Sequence, residues 1–387
     1  MPSNHLMNLT TRPAAVMVRG EGSYLWDAAG RRYLDFVQGW AVNALGHAPP
    51  ELREAISRQA ATLLNASPAY HTVPQGELAD ELSSASGLGR VFFCNSGAEA
   101  NEGAIKLARK WGKIHRGGAY EIITTVNGFH GRTLATMAAS GKPGWDTMFP
   151  PAISGFVKVP FGDADAVRAA IRLETVGVLV EPIQGEGGVV MPPSSYLAAL
   201  RKLTTETGTL LMLDEVQTGI GRTGTLFAHQ HDGVLPDVMT LGKGLGGGIP
   251  LAALVASEDA ACFSPGEQGG TFNGNPLVTA AGLAVLRAVR SPGFLENVVR
   301  RGAELSRGLQ KLGGEHGIVE VRGRGLLVAA RLATDAAERV RDAAFELGLL
   351  VNSVRPDTLR FMPALNVSAS EVEEMLALLA RALHAAQ

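Results

Sequence analysis

The sequence predicts an α/β fold built on a mostly parallel sheet of seven strands. Through the middle of the 387-residue chain, short runs rich in apolar residues alternate with helical stretches such as AEANEGAIKLARKWGKI and YLAALRKLTTETG. Such alternation is typical of crossover units, which place successive strands parallel. Several runs are apolar throughout, as expected of strands that helices cover on both faces.

The predicted elements follow one another in a regular order. The N-terminal stretch VMVRGEGSYLWDAAGRRYLDF predicts a hairpin, with Gly20 and Gly22 among its turn residues. Seven strands are then predicted at RVFFC, EIITTV, GFVKVP, VGVLVEP, TLLMLDE, DVMTLG and LAALVAS. The tail predicts helices over 296–312, 335–348 and 370–385.

This order predicts two domains. Residues 46–280 hold all seven strands of the main sheet and should form a large domain with its own core. The N-terminal segment, residues 1–45, and the C-terminal part, residues 281–387, should together form a smaller α+β domain.

Composition favours small-molecule chemistry. Charged residues make up 19% of the chain and the formal net charge is −2, with no basic block, so nucleic acid is not expected as a partner. No stretch approaches the roughly 18 apolar residues of a membrane span. The N-terminus MPSNHLMNLTTRP lacks the apolar core of a signal peptide. We therefore expect a cytoplasmic protein that contacts no membrane.

Two opposite charges stand at the ends of predicted strands. Asp214 follows TLLML and Lys243 follows DVMTLG, 29 residues further on. A carboxylate and an amine placed in this way suit pyridoxal 5'-phosphate, because the carboxylate can keep the pyridine nitrogen protonated while the amine reacts with the aldehyde. In an apolar site the lysine pKa would fall, which favours its use as nucleophile and general base.

A phosphate site is a second candidate. Ser96, Gly97 and Ala98 open a predicted helix directly after a strand, where free backbone amides and the helix dipole favour an anion. Ordinary capping of the helix by Asn95 or Ser96 explains the same residues. The sequence leaves both interpretations open.

Two glycine-rich loops carry candidate ligand contacts. In NGFHGRT, Phe129 could stack on a planar ring and Arg132 could bind a carboxylate, although a core phenylalanine and a surface arginine are the simpler interpretation. In EPIQGEGG, Glu186 either contacts a substrate or only caps the next element.

The remaining motifs predict no further ligand site. GKGLGGG fits GxGxxG, but PLAALVAS after it predicts a strand instead of the helix that a dinucleotide site requires. His229 and His231 of HQH lack the spacing of a metal site, so we expect solvated or capping histidines and no metal. Cys94, within VFFC, predicts a reduced buried thiol.

The ordered motifs SGAEANE, FHGRT, EPIQGEGG, DEVQTGIGRTG, LGKGLGGGIPLAA, GGTFNGNP and LRFMPAL resemble those of class III pyridoxal phosphate-dependent aminotransferases, and most of all those of the members that act on N2-acetyl-L-ornithine. The resemblance covers nearly the whole chain. It implies fold type I, the aspartate aminotransferase-like fold, and a homodimer whose active sites are shared between subunits.

The resemblance also implies roles for individual residues. Lys243 would bind the cofactor aldehyde and Asp214 its pyridine nitrogen. The remaining cofactor contacts would be Ser96, Gly97 and Ala98 at the phosphate, Phe129 and Val216 on the two ring faces, Gln217 at the phenolic oxygen, and Thr271 at the phosphate bound in the partner subunit.

For the substrates, the resemblance implies two arginines. Arg360 would hold the α-carboxylate of glutamate or 2-oxoglutarate, with Glu186 as its switchable partner, and Arg132 would hold the carboxylate of the amino donor. Trp40 and GGTFNGNP depart from the usual family pattern, which leaves N-succinylornithine, N-succinyldiaminopimelate and γ-aminobutyrate as alternative donors. A pyridoxal phosphate-binding protein without turnover is the remaining alternative.

Overall fold

The computed structural model describes residues 5–386, without the side chain at position 315. In chain order its strands are β1 (Met17–Glu21), β2 (Tyr24–Asp27), β3 (Arg32–Asp35), β4 (Arg90–Cys94), β5 (Glu121–Thr125), β6 (Phe156–Val159), β7 (Thr175–Val180), β8 (Leu210–Asp214), β9 (Val238–Leu241), β10 (Ala252–Ala256), β11 (Ile318–Arg324), β12 (Leu327–Leu332), β13 (Leu349–Leu350), β14 (Asn352–Arg355) and β15 (Thr358–Phe361).

The α-helices are α1 (Gln38–Ala41), α2 (Pro50–Thr62), α3 (Val73–Ser86), α4 (Gly97–His115), α5 (Leu134–Ala139), α6 (Trp145–Met148), α7 (Ala164–Ala170), α8 (Tyr196–Thr207), α9 (Pro276–Val289), α10 (Phe294–His316), α11 (Ala337–Glu346) and α12 (Ala369–Ala385). None of the helices within residues 5–386 is long and apolar enough to cross a membrane.

The central sheet has seven strands in the order β4-β10-β9-β8-β7-β5-β6. The strands from β9 to β6 run parallel, whereas β10 is antiparallel to both of its neighbours. The predicted α/β fold with a mostly parallel sheet of seven strands is therefore confirmed. All seven apolar runs form the strands that the sequence predicts.

Helices cover both faces of this sheet. Alternate residues of β8 point to opposite sides, as in any strand: Leu210 and Met212 pack with α4, while Leu211 and Leu213 pack with α8. Every residue of β8 is therefore buried, which explains why the run is apolar without alternation. The parallel strands also direct their carboxyl ends to one edge, where ligands bind in open α/β sheets.

Two smaller sheets come from the ends of the chain. The N-terminal strands form β1-β2-β3 and continue with β13 from the C-terminal part, while β11-β12-β15-β14 form an antiparallel sheet. The three helices predicted in the tail are found as α10, α11 and α12. The domain boundaries at 45/46 and 280/281 stay predictions, and positions 1–4 and 387 lie outside the described residues.

One predicted turn residue is misplaced. The hairpin turn occurs at Gly22, where φ is +55°, whereas Gly20 lies inside β1 and pairs with Leu25 of β2. Gly20 is required for a different reason, since a Cβ at this position would lie 2.7 Å from the Cβ of His47. The glycine thus marks a close approach between chain segments instead of a turn.

The segment labelled α1 is a single turn of left-handed backbone and not a regular α-helix. Four consecutive residues, Gln38 to Ala41, have φ between 48° and 68°, which non-glycine residues rarely adopt. Such conformations cost roughly 1–3 kcal/mol each and occur often at functional sites. The segment contacts the turn that begins at Lys243, and its Trp40 side chain is exposed.

Candidate active site

The ends of two neighbouring strands bring the predicted acid and amine together. Asp214 is the last residue of β8, and β9 leads through Gly242 into the 3₁₀ turn that begins at Lys243. Both residues line a cavity of about 240 Å³. The other lining residues are Gly97, Ala98, Asn101, Phe129, His130, Gly131, Arg132, Glu181, Glu186, Val216 and Gln217.

Asp214 is held at the cavity floor by three donors. Its Oδ2 atom accepts from Asn101 Nδ2 and lies 2.8 Å from His130 Nδ1, and its Oδ1 atom accepts from the backbone amide of Val216. The carboxylate is only 3% exposed, so these bonds fix its orientation. A buried, oriented carboxylate of this kind can hold a proton on a ring nitrogen opposite it.

Lys243 presents its amine to the same cavity. Desolvation lowers the pKa of this amine, while the nearby carboxylates of Glu186 and Asp214 act in the opposite direction. The backbone at Lys243 has φ +42°, a left-handed conformation that is unusual for a lysine. A neutral amine becomes available closer to physiological pH, as nucleophilic and general-base chemistry requires.

A second buried carboxyl group lies nearby. Burial and the charge of Asp214 raise the pKa of Glu181 to about 8. Its oxygens accept from the backbone amides of Phe129 and Gly185, at 3.0 and 3.2 Å. Glu181 thereby joins the two glycine-rich loops of the site.

Arg360 lies behind the cavity wall. The side chain is 1% exposed, and its three nitrogen atoms bond Asn352 Oδ1 at 3.0 Å, Gln217 Oε1 at 3.2 Å and Glu186 Oε1 at 2.7 Å. Glu186 and Gln217 line the cavity, whereas Arg360 does not. The arginine is therefore paired with Glu186, and two of its partners, Glu186 and Gln217, belong to the cavity wall.

Glu186 sits between two cations. Desolvation works to raise its pKa, but the charge of Arg360 and further cations outweigh it and the net shift is downward. Its second oxygen, Oε2, lies 3.8 Å from Lys142 Nζ. The glycine-rich loop therefore places an ionised carboxylate in the cavity wall, and Glu186 is more than a helix cap.

Phe129 and Arg132, which line the cavity, contact a second aromatic ring and a second cation just outside it. Phe129 and Trp145 meet edge to face with their ring centroids 5.7 Å apart. Lys142 Nζ lies 4.9 Å from the Phe129 centroid, and the guanidinium of Arg132 lies 5.5 Å from that of Trp145. Arg132 is exposed, as its surface interpretation predicts, but it also lines the cavity.

The start of α4 combines capping with free amides. Ser96 is the N-cap, and its side chain accepts from Glu99 N at 3.2 Å, as the capping interpretation predicts. The first intrahelical bond is made by Ala100 N to Ser96 O, so the amides of Gly97 and Ala98 precede it. A Cβ at Gly97 would lie 2.7 Å from Val216 Cγ1, so only glycine allows this close approach. Capping does not exclude anion binding here.

For Thr271, a predicted site residue, no contact with the other predicted site residues is found within residues 5–386. Thr271 is exposed and is absent from the lining of this chain's cavity. The eleven other predicted site residues divide into nine that line the cavity and two beside it, Ser96 and Arg360. The tertiary fold therefore brings together residues that are up to 264 positions apart in the sequence.

Sequence reasoning missed Asn101, His130 and Lys142. Asparagine is disfavoured inside helices, so Asn101 within α4 was a usable signal of a tertiary hydrogen bond.

His229 was expected to be either solvated or capping, and the prediction that it is solvated is wrong. It is 3% exposed, and its Nδ1 lies 2.8 Å from the buried carboxylate of Glu215.

The cavity fits pyridoxal 5'-phosphate. Gln217 Nε2 is buried in the cavity wall without a hydrogen-bond partner among the described residues, so an acceptor is required there. Amine, carboxylate and helix amides lie around the same space, matching the aldehyde, the ring nitrogen and the phosphate of the cofactor. Among the residues from 5 to 386, no group of acidic residues, histidines and cysteines could hold a metal ion.

Comparisons with known proteins identify the family of the chain. The family model described as Aminotransferase class-III matches residues 7–383. Acetylornithine aminotransferase 2 of Bordetella bronchiseptica is 57% identical over 376 residues, covering 96% of this chain and 95% of that protein. Acetylornithine aminotransferase of Ralstonia nicotianae is 52% identical over 391 residues, covering 99% and 98%.

Solved structures resemble the chain over nearly its full length. The crystal structure of N-acetylornithine aminotransferase from Stenotrophomonas maltophilia K279a has a TM-score of 0.85 at 39% identity, covering 97% of this chain and 96% of that one. The ornithine aminotransferase from Toxoplasma gondii ME49 has a TM-score of 0.94 at 32% identity, covering 99% and 93%.

Proposed function

Because the chain belongs to the class III aminotransferase family, we propose that it transfers the ω-amino group of N2-acetyl-L-ornithine to 2-oxoglutarate, giving N-acetyl-L-glutamate 5-semialdehyde and L-glutamate. The reaction is a step of arginine biosynthesis. Relatives that are 57% and 52% identical over almost the whole chain carry the name of this activity. The fold is that of the type I pyridoxal phosphate-dependent transferases.

The observation that carries the proposal is that the cavity with the Lys243 amine also has a buried arginine, Arg360, behind its wall. The cavity that holds the lysine amine is closed on one side by Glu186, behind which Arg360 is buried. An enzyme that alternates between an ω-amine donor and a dicarboxylate needs a cation that is hidden in one half-reaction and available in the other. Arg132 supplies a second cation at the outer part of the cavity.

Pyridoxal 5'-phosphate, when bound, supplies the electron sink for amino-group transfer. Lys243 would hold its aldehyde, Asp214 its ring nitrogen, and Gln217 its phenolic oxygen. The start of α4 would hold the phosphate through Ser96, Gly97 and Ala98, and Phe129 and Val216 would enclose the ring. The unpartnered amide of Gln217 and the helix amides support this assignment.

Lys243 does the proton transfer. Its Nζ atom, whose pKa is lowered by desolvation, would take the proton from the substrate carbon that bears the amino group and donate it to the cofactor's aldehyde-derived carbon, on the other side of the nitrogen. Asn101, His130 and the amide of Val216 hold the Asp214 carboxylate in place for the ring nitrogen. The amine is desolvated, which strengthens these interactions.

Arg132 and Arg360 would bind the carboxylates of different substrates. With Glu186 on Arg360, the donor carboxylate binds at Arg132, and the ω-amine reaches Lys243. When 2-oxoglutarate enters, its α-carboxylate replaces Glu186 at Arg360, where both of its oxygens can accept from the guanidinium. The screened position of Arg360 supports this exchange.

The enzyme is proposed to be a cytoplasmic homodimer in which Thr271 of one subunit binds the phosphate in the other. Thr271 is exposed and does not line its own cavity. The adjacent Phe272 is 61% exposed, and Tyr70 and Val73, before and at the start of α3, are 70% and 73% exposed. Exposed apolar side chains such as these are available for contact with a partner subunit.

The proposal is tested by product analysis. The purified, cofactor-loaded enzyme is incubated with N2-acetylornithine, with and without 2-oxoglutarate. We expect one glutamate for each semialdehyde formed, and only a single turnover without the keto acid. Equal turnover without 2-oxoglutarate would indicate an aminomutase and contradict the proposal.

A further inference from the structure

Lys142 holds the free oxygen of the residue that screens Arg360. Its Nζ atom lies 3.8 Å from Glu186 Oε2, while Glu186 Oε1 is 2.7 Å from Arg360. Lys142 is 23% exposed and Glu186 24%, so water screens their attraction only in part. Lys142 is not among the residues that line the cavity, so it contacts the site through two residues that do line it, Glu186 and Phe129.

Two aromatic rings fix the position of this amine. Lys142 Nζ lies 4.9 Å from the ring centroid of Phe129 and 5.1 Å from that of Trp145. Cation–π contacts at these distances hold the ammonium in place without neutralising it. Its charge therefore remains available to a carboxylate.

The backbone around Glu186 is fixed by arginines of the small antiparallel sheet. Arg355 donates to the carbonyl of Gly187, and Arg322 donates twice to the carbonyl of Gly188. On the other side, the amide of Gly185 donates to Glu181. The loop is thus held in place around Glu186, and its carboxylate can change partners by rotating its side chain alone.

We propose that Lys142 is the positioning residue that receives Glu186 when a dicarboxylate occupies Arg360. In the resting site the Glu186 carboxylate bridges both cations. When an incoming carboxylate takes Arg360, Glu186 turns fully to Lys142, so its charge is never left unpaired in a partly buried site. Lys142 thereby lowers the cost of opening Arg360 and favours the dicarboxylate half-reaction over the donor half-reaction. This inference rests on the proposed function.

The test compares Lys142→Met with Lys142→Arg in the cofactor-loaded enzyme. Methionine keeps the length of the side chain without its charge, and arginine keeps the charge. Lys113→Met serves as the matched control, because Lys113 is exposed at the end of α4, away from the cavity. The probe is glutarate, a dicarboxylate without an amino or keto group, and its dissociation constant is measured by calorimetry. Single-turnover rates with glutamate and with N2-acetylornithine are measured separately.

Loss of a partly buried ion pair partner should weaken glutarate binding by roughly fivefold to tenfold in Lys142→Met. The glutamate concentration that gives half the maximal single-turnover rate should rise in the same proportion. The single-turnover rate with N2-acetylornithine should stay within about twofold. Lys142→Arg should restore glutarate binding, and Lys113→Met should leave it unchanged.

Unchanged glutarate affinity in Lys142→Met would overturn the inference, as would equal losses in both half-reactions. The predicted glutarate pattern in an enzyme that does not react with N2-acetylornithine would support the inference and reject the proposed donor. The two failures are therefore distinguishable.

Discussion

The guanidinium of Arg360 and the carboxylate of Glu186 are joined across 2.7 Å, between Nη2 and Oε1. Arg360 is 1% exposed, so this pair neutralises a charge that the fold has removed from water. The pair decides which carboxylates the site accepts. An incoming dicarboxylate must replace Glu186, whereas a donor that leaves the pair intact must be held elsewhere.

Glu186→Gln should unmask Arg360. The amide cannot neutralise the guanidinium, so glutarate should bind about tenfold more tightly. kcat/KM for N2-acetylornithine should fall by about tenfold, because its carboxylate is then captured by Arg360. Calorimetry measures the glutarate affinity, and single-turnover kinetics measure kcat/KM for the N2-acetylornithine half-reaction. Glu373→Gln, which removes an exposed carboxylate of α12, is the control. Equal weakening of both ligands would show that Glu186 does not screen Arg360.

His130→Leu should reduce turnover without preventing folding. The imidazole Nδ1 lies 2.8 Å from Asp214 Oδ2, and hydrogen bonds to charged groups contribute roughly 1.5–3 kcal/mol. We therefore expect kcat to fall by about 10- to 100-fold with little change in KM. His115→Leu, at the exposed end of α4, should leave kcat unchanged. A normal kcat in His130→Leu would remove His130 from the support of Asp214.

Glu181 predicts a pH dependence of stability. Its pKa is about 8 in the folded protein against an ordinary value of 4.5. Between these values the folded state keeps a proton that the unfolded state releases, so this stabilisation is present below pH 4.5 and is lost as the pH rises through 8.

Glu181→Gln cannot titrate, so the free energy of unfolding of the unsubstituted, cofactor-free protein should decrease relative to that of the variant between pH 6 and pH 9. The relative decrease should be on the order of 2 kcal/mol. Denaturant unfolding at each pH measures it, and any constant offset from the lost backbone contacts does not affect the slope. Parallel curves for the two proteins would contradict the shifted pKa.

Thr271 predicts complementation between subunits. Thr271→Glu should repel the phosphate and block cofactor binding in the partner subunit, and Lys243→Ala should remove turnover in its own site. Each variant alone should be inactive. Mixed dimers would contain one intact site, so an equal mixture after subunit exchange should recover about a quarter of the activity. No recovery in dimers that have exchanged would show that Thr271 does not serve the partner.

The sequence predicts a strand or helix well where burial alone determines its pattern of apolar residues. Every residue of β8 is buried because helices cover both faces of the sheet, and an uninterrupted apolar run is the direct sign of that environment. Lys243 and Asp214 could be identified for a related reason, since charges that follow such runs must lie at strand ends. Gly20 was misplaced because a turn and a close approach both select glycine, and only the position of His47 distinguishes them.

The connections between candidate residues could not be read from the sequence. Asn101 and His130 both contact Asp214, but they are 113 and 84 positions away from it. Lys142 contacts Glu186, which lies 44 positions later in the sequence. The loop that contains Lys142 has the sequence SGKPG, which gives no periodic signal. His229 was misjudged because its buried partner, Glu215, also follows a strand and reads as an exposed acid. Such pairs depend on the tertiary path of the chain.

The most direct test of the central claim is a set of single-turnover reactions of the cofactor-loaded enzyme without keto acid. N2-acetylornithine, N2-succinylornithine, ornithine and γ-aminobutyrate are each added, and the absorbance of the bound cofactor is followed. We predict fast loss of the starting absorbance with N2-acetylornithine and at least tenfold slower loss with ornithine and γ-aminobutyrate. A faster reaction with any of the other three amines would contradict the proposed donor, and no reaction with any of them would contradict the proposal that this chain is an aminotransferase.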